Sequence, residues 1–333
     1  MKRLSVIIIG LIFTIFSCKN TTAETDGKYP GKLLVGHLVA LDMAPLFVAN
    51  EAGFFTEEGL QLELRFFANP GDNNAALANG SIQFSTNPFT LPYFGNNAGD
   101  DMRIVSAAGG LGIIQVIVQG KYLIENLEDL KTWVKSHPNQ KLKIGLLQGD
   151  TLEMIVFRML KNIGLDYDAF EIVPFDDLLI MVEAFRNGTV DILSHIKPYT
   201  TDLVVNHDAK VLTDNSAIWG YGTPNCTVAV MKEFGEKYPK TVVSYLRALK
   251  KGFQLIVDSP GKAVQLLDEG NYYKVDKEVL LYAFRNQPKE VVLRPNVDGM
   301  MEAIKDMVAM NYIKEPSQQV VDLQYLEMVE SGK

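Results

Sequence analysis

Apolar and polar positions follow two rhythms along this chain. Residues 32–39 carry a compact apolar block, Leu33-Leu34-Val35, that predicts a buried strand. Pro45 stands where a helix can begin, because the N–H it lacks has no partner in a first turn. Ala44, Leu46, Phe47, Val48 and Ala52 then supply an apolar helical surface over 45–55, and Gly59 closes the unit after Thr56, Glu57 and Glu58. Leu60, Leu62, Leu64 and Phe66 alternate with Gln61, Glu63 and Arg65, the period of a strand over 60–67. Residues 36–67 therefore read as a βαβ unit, whose right-handed crossover sets its strands parallel in one sheet.

The same rhythm recurs later: a strand over 143–147, a helix over 152–163 and a strand over 170–174. The run ALANGSIQF at 76–84 is echoed by AFRNGTVDI at 184–192, about 108 residues on. In both, a glycine (Gly80, Gly188) stands where a left-handed residue would close a helix before a buried strand. One α/β theme thus occurs twice. Residues 105–118, with Gly109, Gly110 and Gly112, could carry the chain from one half to the other. Residues 219–225 could bring it back to a strand over 227–231. Beyond that, helical spacing predicts helices over 239–257, 261–267, 277–286, 297–312 and 318–330, expected to pack on the first half. Met300, Met301, Met307 and Met310 read as core filler.

The wording of residues 44–64, APLFVANEAGFFTEEGLQLEL, resembles the opening of substrate-binding proteins that serve ABC importers for nitrate, sulfonates, taurine and thiamine-precursor pyrimidines. The resemblance covers roughly 32–259 and is strongest in the first third. With the repeat, it implies an α/β, bilobed fold of the type II periplasmic-binding-protein kind, joined by a two-segment hinge. The expected division is lobe one at 31–115 and 225–333, and lobe two at 116–224. The implied partners are a small-molecule ligand and the permease and ATPase subunits of an importer, with the chain itself a monomer.

Met1-Lys2-Arg3, an apolar run over 4–16 and Ser17-Cys18 have the form of a secretory leader. Residues 1–17 are expected to be removed, with Cys18 lipidated and 18–30 a polar tether holding the protein to the outer side of a membrane. The apolar run is short of the roughly 20 residues a spanning helix needs. The other cysteine, Cys226, has no partner, so no internal disulfide or cysteine-based metal site is expected. A net charge of −8 leaves no electrostatic footprint for nucleic acid.

In open α/β sheets, ligands bind outside the carboxyl ends of the strands. That rule selects His37, Asp42, Met43, Asp72, Asn73, Ser85, Thr86, Asn87 and Gly110 in the first half. In the second it selects Gln148, Asp150, Thr151, His195 and Lys197, with Trp219 and Tyr221 at the return crossing. Asp150 and Asp72 stand at helix starts, where a carboxylate caps the free N–H groups. Relatives often have hydroxyl residues where this chain has Asp150, which weakens the case for a small inorganic anion. Lys197 could offset a negative ligand or pair with Asp150. Phe89, Tyr93, Phe94, Tyr199, Trp219 and Tyr221 could sandwich a flat ligand.

No nucleophile elbow, HExxH or P-loop is present, and the four histidines lack metal-ligand spacing. The expectation is a binding protein without cofactor or metal, for a pyrimidine-like ligand ahead of a sulfonate. A pyrimidine-metabolising enzyme and a ligand-sensing lipoprotein are the alternatives.

Overall fold

The computed structural model describes residues 26–287, 292–315 and 318–332. The expected leader and Cys18 lie outside the described residues. The end of the expected tether is docked rather than free. Tyr29 N donates to Thr241 Oγ1 at 2.8 Å, and the Tyr29 ring packs between Phe234 and Tyr238.

Ten strands are described: β1 (Leu33–His37), β2 (Leu62–Phe66), β3 (Phe84–Pro88), β4 (Met102–Ala107), β5 (Ile114–Gln119), β6 (Lys143–Leu147), β7 (Glu171–Phe175), β8 (Ile192–Ile196), β9 (Ala209–Asp214) and β10 (Cys226–Met231). They form two five-stranded sheets, ordered β2-β1-β3-β10-β4 and β7-β6-β8-β5-β9. The two orders are the same in space, with the strand in fourth place last in chain order in the first sheet and first in the second. In each sheet the first three strands are parallel, and one strand is antiparallel to both of its neighbours. That strand, β10 or β5, is the one that enters from the opposite half. Even the register slips match: β10 shifts against β4 after its third residue, and β5 against β9 after its third.

The doubled theme is therefore real in space. Gly80 (φ +75°) and Gly188 (φ +78°) both follow helix ends in the left-handed region, as the repeat predicts. The chain passes from β4 to β5 through residues 108–113 and returns between β9 and β10. Gly109, Gly110 and Gly112 all take positive φ in the first passage. The alternation of 60–67 does form a strand, but β2 is the sheet edge and Phe66 at its end is 51% exposed.

The C-terminal helices divide their packing. Helix Pro239–Asp258 lies on helix Ala44–Glu51, with Gly252 against Pro45 O and Ala49 where a side chain would not fit. The expectation that all of these helices pack on the first half fails for two of them. Helix Lys277–Arg285 lies on helix Tyr199–Asn206, and helix Val297–Ala309 on helix Thr151–Ile163, both in the second half. The reason is electrostatic as well as apolar. Arg158 Nε donates to buried Asp306 Oδ2 at 2.6 Å, and Arg158 Nη2 to Glu302 O at 2.8 Å. Tyr312 OH donates to Glu153 Oε2 at 2.7 Å. Met300 and Met307 are fully buried there.

Candidate functional site: an acceptor-rich cleft between the two sheets

The carboxyl ends of the two sheets face one another. The loop after β1 brings Leu38 and Ala40, and β3 ends at Pro88. The facing sheet brings Leu147, Asp150 and Ile196, and the return passage ends in Asn225 and Cys226. The cavity they line is ≈ 10 Å³, room for about one water. Leu41 N donates to Lys197 O at 2.8 Å and Asn69 Nδ2 to Asp176 O at 3.2 Å, so loops of the two halves touch directly. This is a closed arrangement.

Two buried carboxylates belong to the cleft: Asp150 lines the cavity, and Asp42 accepts from the backbone of the lining residue Cys226. Asp42 sits in the 3-10 turn Leu41–Met43. Cys226 N donates to its Oδ2 at 2.8 Å, and the Asn225 carboxamide and Cys226 thiol lie close enough to favour the charged form, although Oδ1 has no partner at full hydrogen-bond geometry. Burial pushes its carboxyl up to about 7, against the N–H of Cys226, which favours the charged form. Asp150 caps helix Thr151–Ile163: Leu152 N donates to Oδ1 at 3.0 Å, and Oδ2 is left unpartnered. Burial pushes this carboxyl up to about 6, and the nearby Glu153 adds to the rise. Capping therefore uses one oxygen of Asp150 and leaves the other bare. Cys226 is free and buried, and burial raises its thiol well above the ordinary value, with Asp42 and Asp150 both contributing.

Unpartnered acceptors gather here, along with the unpartnered hydroxyls of Thr86 on β3 and Thr227 on β10, which can donate as well as accept. Thr151 Oγ1 lies 2.9 Å from both Asp150 Oδ1 and Asn225 Oδ1, and its single hydrogen serves one of them at a time. Asn87 Nδ2 donates to Pro70 O at 2.9 Å, and Asn87 Oδ1 remains unpartnered. A buried acceptor without a donor costs roughly 1–3 kcal/mol, so such a cluster favours any group that brings N–H to it.

Other expected site residues build the walls. Ser85 Oγ donates to Asn73 Oδ1 at 3.0 Å, and Asn73 Nδ2 to Thr86 O at 3.1 Å, stitching helix Pro70–Ala78 to β3. Met43 is fully buried and its sulfur accepts from Leu38 N at 3.2 Å. His37 Nδ1 donates to Leu38 O at 2.7 Å, and His195 Nε2 donates to Leu178 O at 2.7 Å. Burial lowers both imidazoles, which holds them neutral. Gly110 (φ +74°) lies in the first passage, where an added Cβ would press on Ile113 and Asp42.

Several residues are not brought together. Asp72 is exposed, and the cap of its helix is Asn69, which accepts from Gly71 N and Asp72 N. Gln148 is exposed. Lys197 makes no ion pair with Asp150: burial lowers its ammonium, and the charge that offsets this is Asp214. No aromatic sandwich forms. Phe89, Tyr93 and Tyr199 are core, Trp219 is buried edge-on to Phe89 at 5.8 Å, Phe94 lies edge-on to Tyr312, and Tyr221 is 58% exposed. Asn225 and Cys226 line the cavity without having stood among the expected residues. Their position just before the returning strand is the only sequence signal for them. Among the described residues no group of three or more His, Cys, Asp or Glu could hold a metal, and no helix is long and apolar enough to cross a membrane.

Known proteins share this architecture. The periplasmic nitrate-binding protein NrtA from Synechocystis PCC 6803 superposes with a TM-score of 0.77 at 15% identity, over 90% of this chain and 88% of that one. A Bacillus subtilis (strain 168) protein named for binding aliphatic sulfonates is 24% identical over 294 residues, 86% of this chain and 83% of its own length. The formylaminopyrimidine-binding protein of Halalkalibacterium halodurans is 24% identical over 344 residues, 95% of this chain and 96% of its own length. The model of the NMT1-like family matches residues 26–265, and the chain belongs to that family.

Proposed function

We propose that this chain captures a small organic ligand rich in N–H donors, of the aminopyrimidine class, and delivers it to an ABC importer. The observation that carries the ligand class is Asp150 Oδ2, a buried acceptor without a donor on a residue that lines the cavity, with Asp42 Oδ1 and Asn87 Oδ1 unpartnered beside the lining residues Cys226 and Pro88. A sulfonate or nitrate would add acceptors to a site already short of donors, and would set its charge beside two carboxylates. An aminopyrimidine brings N–H groups, and in protonated form a compensating charge. The formylaminopyrimidine-binding relative, matched over nearly the whole of both chains, supports the same class.

A ligand of this size does not fit a ≈ 10 Å³ cavity, so the free chain in solution opens to admit it and then closes on it with the cleft wider than in the closed arrangement described above. The moving bodies are lobe one (31–115 and the chain from 225 on) and lobe two (116–224), with helices Lys277–Arg285 and Val297–Ala309 travelling with lobe two, on which they pack, and the swing taken up by the glycine passage and the return passage. The role is binding, with no chemical step. The protein acts as a monomer outside the cytoplasm, held by lipid on Cys18, and its closed form docks on a permease whose ATPase partner drives import.

Calorimetric titration with 4-aminopyrimidine and with ethanesulfonate, followed by small-angle scattering, tests this reading. The aminopyrimidine should bind and reduce the radius of gyration, and the sulfonate should do neither. Binding of the sulfonate alone would overturn the ligand class. Compaction with neither would overturn the capture role.

A further inference from the structure

A second cavity, of ≈ 310 Å³, is lined by Leu41 of the 3-10 turn that carries Asp42. Its size falls within the range of small-molecule sites, about 300–1,000 Å³. The closed cleft holds ≈ 10 Å³ by the same measure. Four parts of the fold wall the second cavity. Leu41 and Pro45 come from the first helix and its lead-in, and Gly110 and Ile113 from the glycine passage. Phe253 and Ile256 come from helix Pro239–Asp258, and Phe284 from helix Lys277–Arg285. These walls are apolar.

The polar groups at the cavity are donors. Arg285 lines it and has no ion-pair or hydrogen-bond partner among the described residues. Gln287 lines it too. Its Oε1 accepts from Leu111 N at 2.8 Å, which fixes the carboxamide and leaves its buried Nε2 with no acceptor. A guanidinium and a fixed amide N–H₂ in the wall of an apolar chamber complement a carboxylate on an apolar body. This is the reverse of the cleft, where acceptors lack donors.

We propose that this hinge-side cavity is a second small-molecule site, taking an apolar carboxylate, with Arg285 and Gln287 at its head group and Leu41, Ile113, Phe253, Ile256 and Phe284 around its tail. The site is separate from the cleft and does not depend on what the cleft binds. Its walls include the glycine passage and Leu41, whose N–H donates to Lys197 O across the lobes, so an occupant contacts the hinge directly.

The probe is octanoate, with octylamine as the charge-reversed control, titrated by calorimetry into the full chain and into two variants. Ile256→Trp fills the chamber and Arg285→Glu reverses the head-group charge. Octanoate should bind one per chain, with a Kd of about 1 mM or tighter, and octylamine should not bind. Arg285→Glu should weaken octanoate by at least about tenfold, the scale of a charge-assisted contact, and Ile256→Trp should abolish binding. Arg285 is exposed, so its replacement tests the site even if Ile256→Trp fails to fold. No binding of octanoate, equal binding of octylamine, or unchanged affinity in Arg285→Glu would each overturn the proposal. Arg285→Glu should leave aminopyrimidine binding unchanged, which separates failure here from failure of the cleft reading.

Discussion

The two sheets share one topology and are held together by different chemistry. In the first, Gly36 pairs with Ser85, and Asn73 from the crossing helix sits over both. In the second, Gly145 pairs with Leu193, and the facing helix supplies fully buried Met181. Asn69 and Asp177 cap these two helices in the same way, each accepting from two backbone N–H groups. The backbone plan is shared, while the contact at Gly36 is a hydrogen-bonded carboxamide and the contact at Gly145 is made by apolar side chains, with His195 Nε2 donating to Leu178 O elsewhere in the second sheet. A hydrogen-bonded interior fixes geometry and has little tolerance. An apolar interior yields to small changes in shape.

Gly36→Ala tests that contrast most severely. Its new Cβ would collide with Asn73 Oδ1 and with Ile82, displacing a carboxamide that has two buried partners. A loss of about 3 kcal/mol or more is expected in urea unfolding. Next in size is Arg158→Ala, which removes the charge that holds Asp306 where the C-terminal helix meets the second half. Leaving a buried carboxylate unpaired should cost about 2–3 kcal/mol by the same measurement. The effect should vanish in the Arg158→Ala/Asp306→Asn pair if the ion pair alone is responsible.

Dependence on pH is the third contrast, with one raised carboxylate on each jaw. Asp42 and Asp150 titrate at about 7 and about 6 in the folded chain, above the ordinary carboxylate range. Stability they contribute is fully present below the unfolded value and is lost as pH rises through the folded values. The neutral histidines His37 and His195 act oppositely: lowered when folded, they contribute above the ordinary imidazole value and lose it as pH falls. The carboxylate loss runs from the ordinary carboxylate value up to about 7, so above the ordinary imidazole value the melting temperature should fall until about pH 7 and then level off. Asp42→Asn/Asp150→Asn should flatten this fall and leave the histidine loss at lower pH. Both replacements can still accept the N–H groups of Cys226 and Leu152, so folding is retained.

The smallest effect belongs to Gly145→Ala. Its Cβ would lie 3.2 Å from Leu193 Cδ1 and from Phe175 Cε2, both side-chain atoms that can shift. A change within about 1 kcal/mol is expected. A loss as large as that of Gly36→Ala would remove the distinction between the jaws.

What the sequence reveals follows from how local the cause is. The helix-glycine-strand joints at Gly80 and Gly188 depend on a few neighbouring residues, so the repeat is legible, and with it the two lobes. Asp150 is legible as a cap for the same reason. Its second oxygen is not, because only the closing of the facing sheet buries it. Asn225 joins the site because β10 enters the first sheet from the other half, a relation across more than a hundred residues. Trp219 looks available beside its glycines, and is instead covered by Phe89 from the first half. Asp72 stands at a helix start, but Asn69 begins that helix earlier and takes the capping role.

The central claim is that unpartnered acceptors on Asp42 and Asp150 select a donor-rich ligand. Calorimetric affinity for 4-aminopyrimidine and for ethanesulfonate, in the parent chain and in Asp42→Asn/Asp150→Asn, addresses it most directly. The parent should bind the aminopyrimidine, the variant at least about tenfold more weakly, and the sulfonate should gain on the variant. Aminopyrimidine affinity unchanged by the substitutions, or a parent chain that prefers the sulfonate, would contradict it.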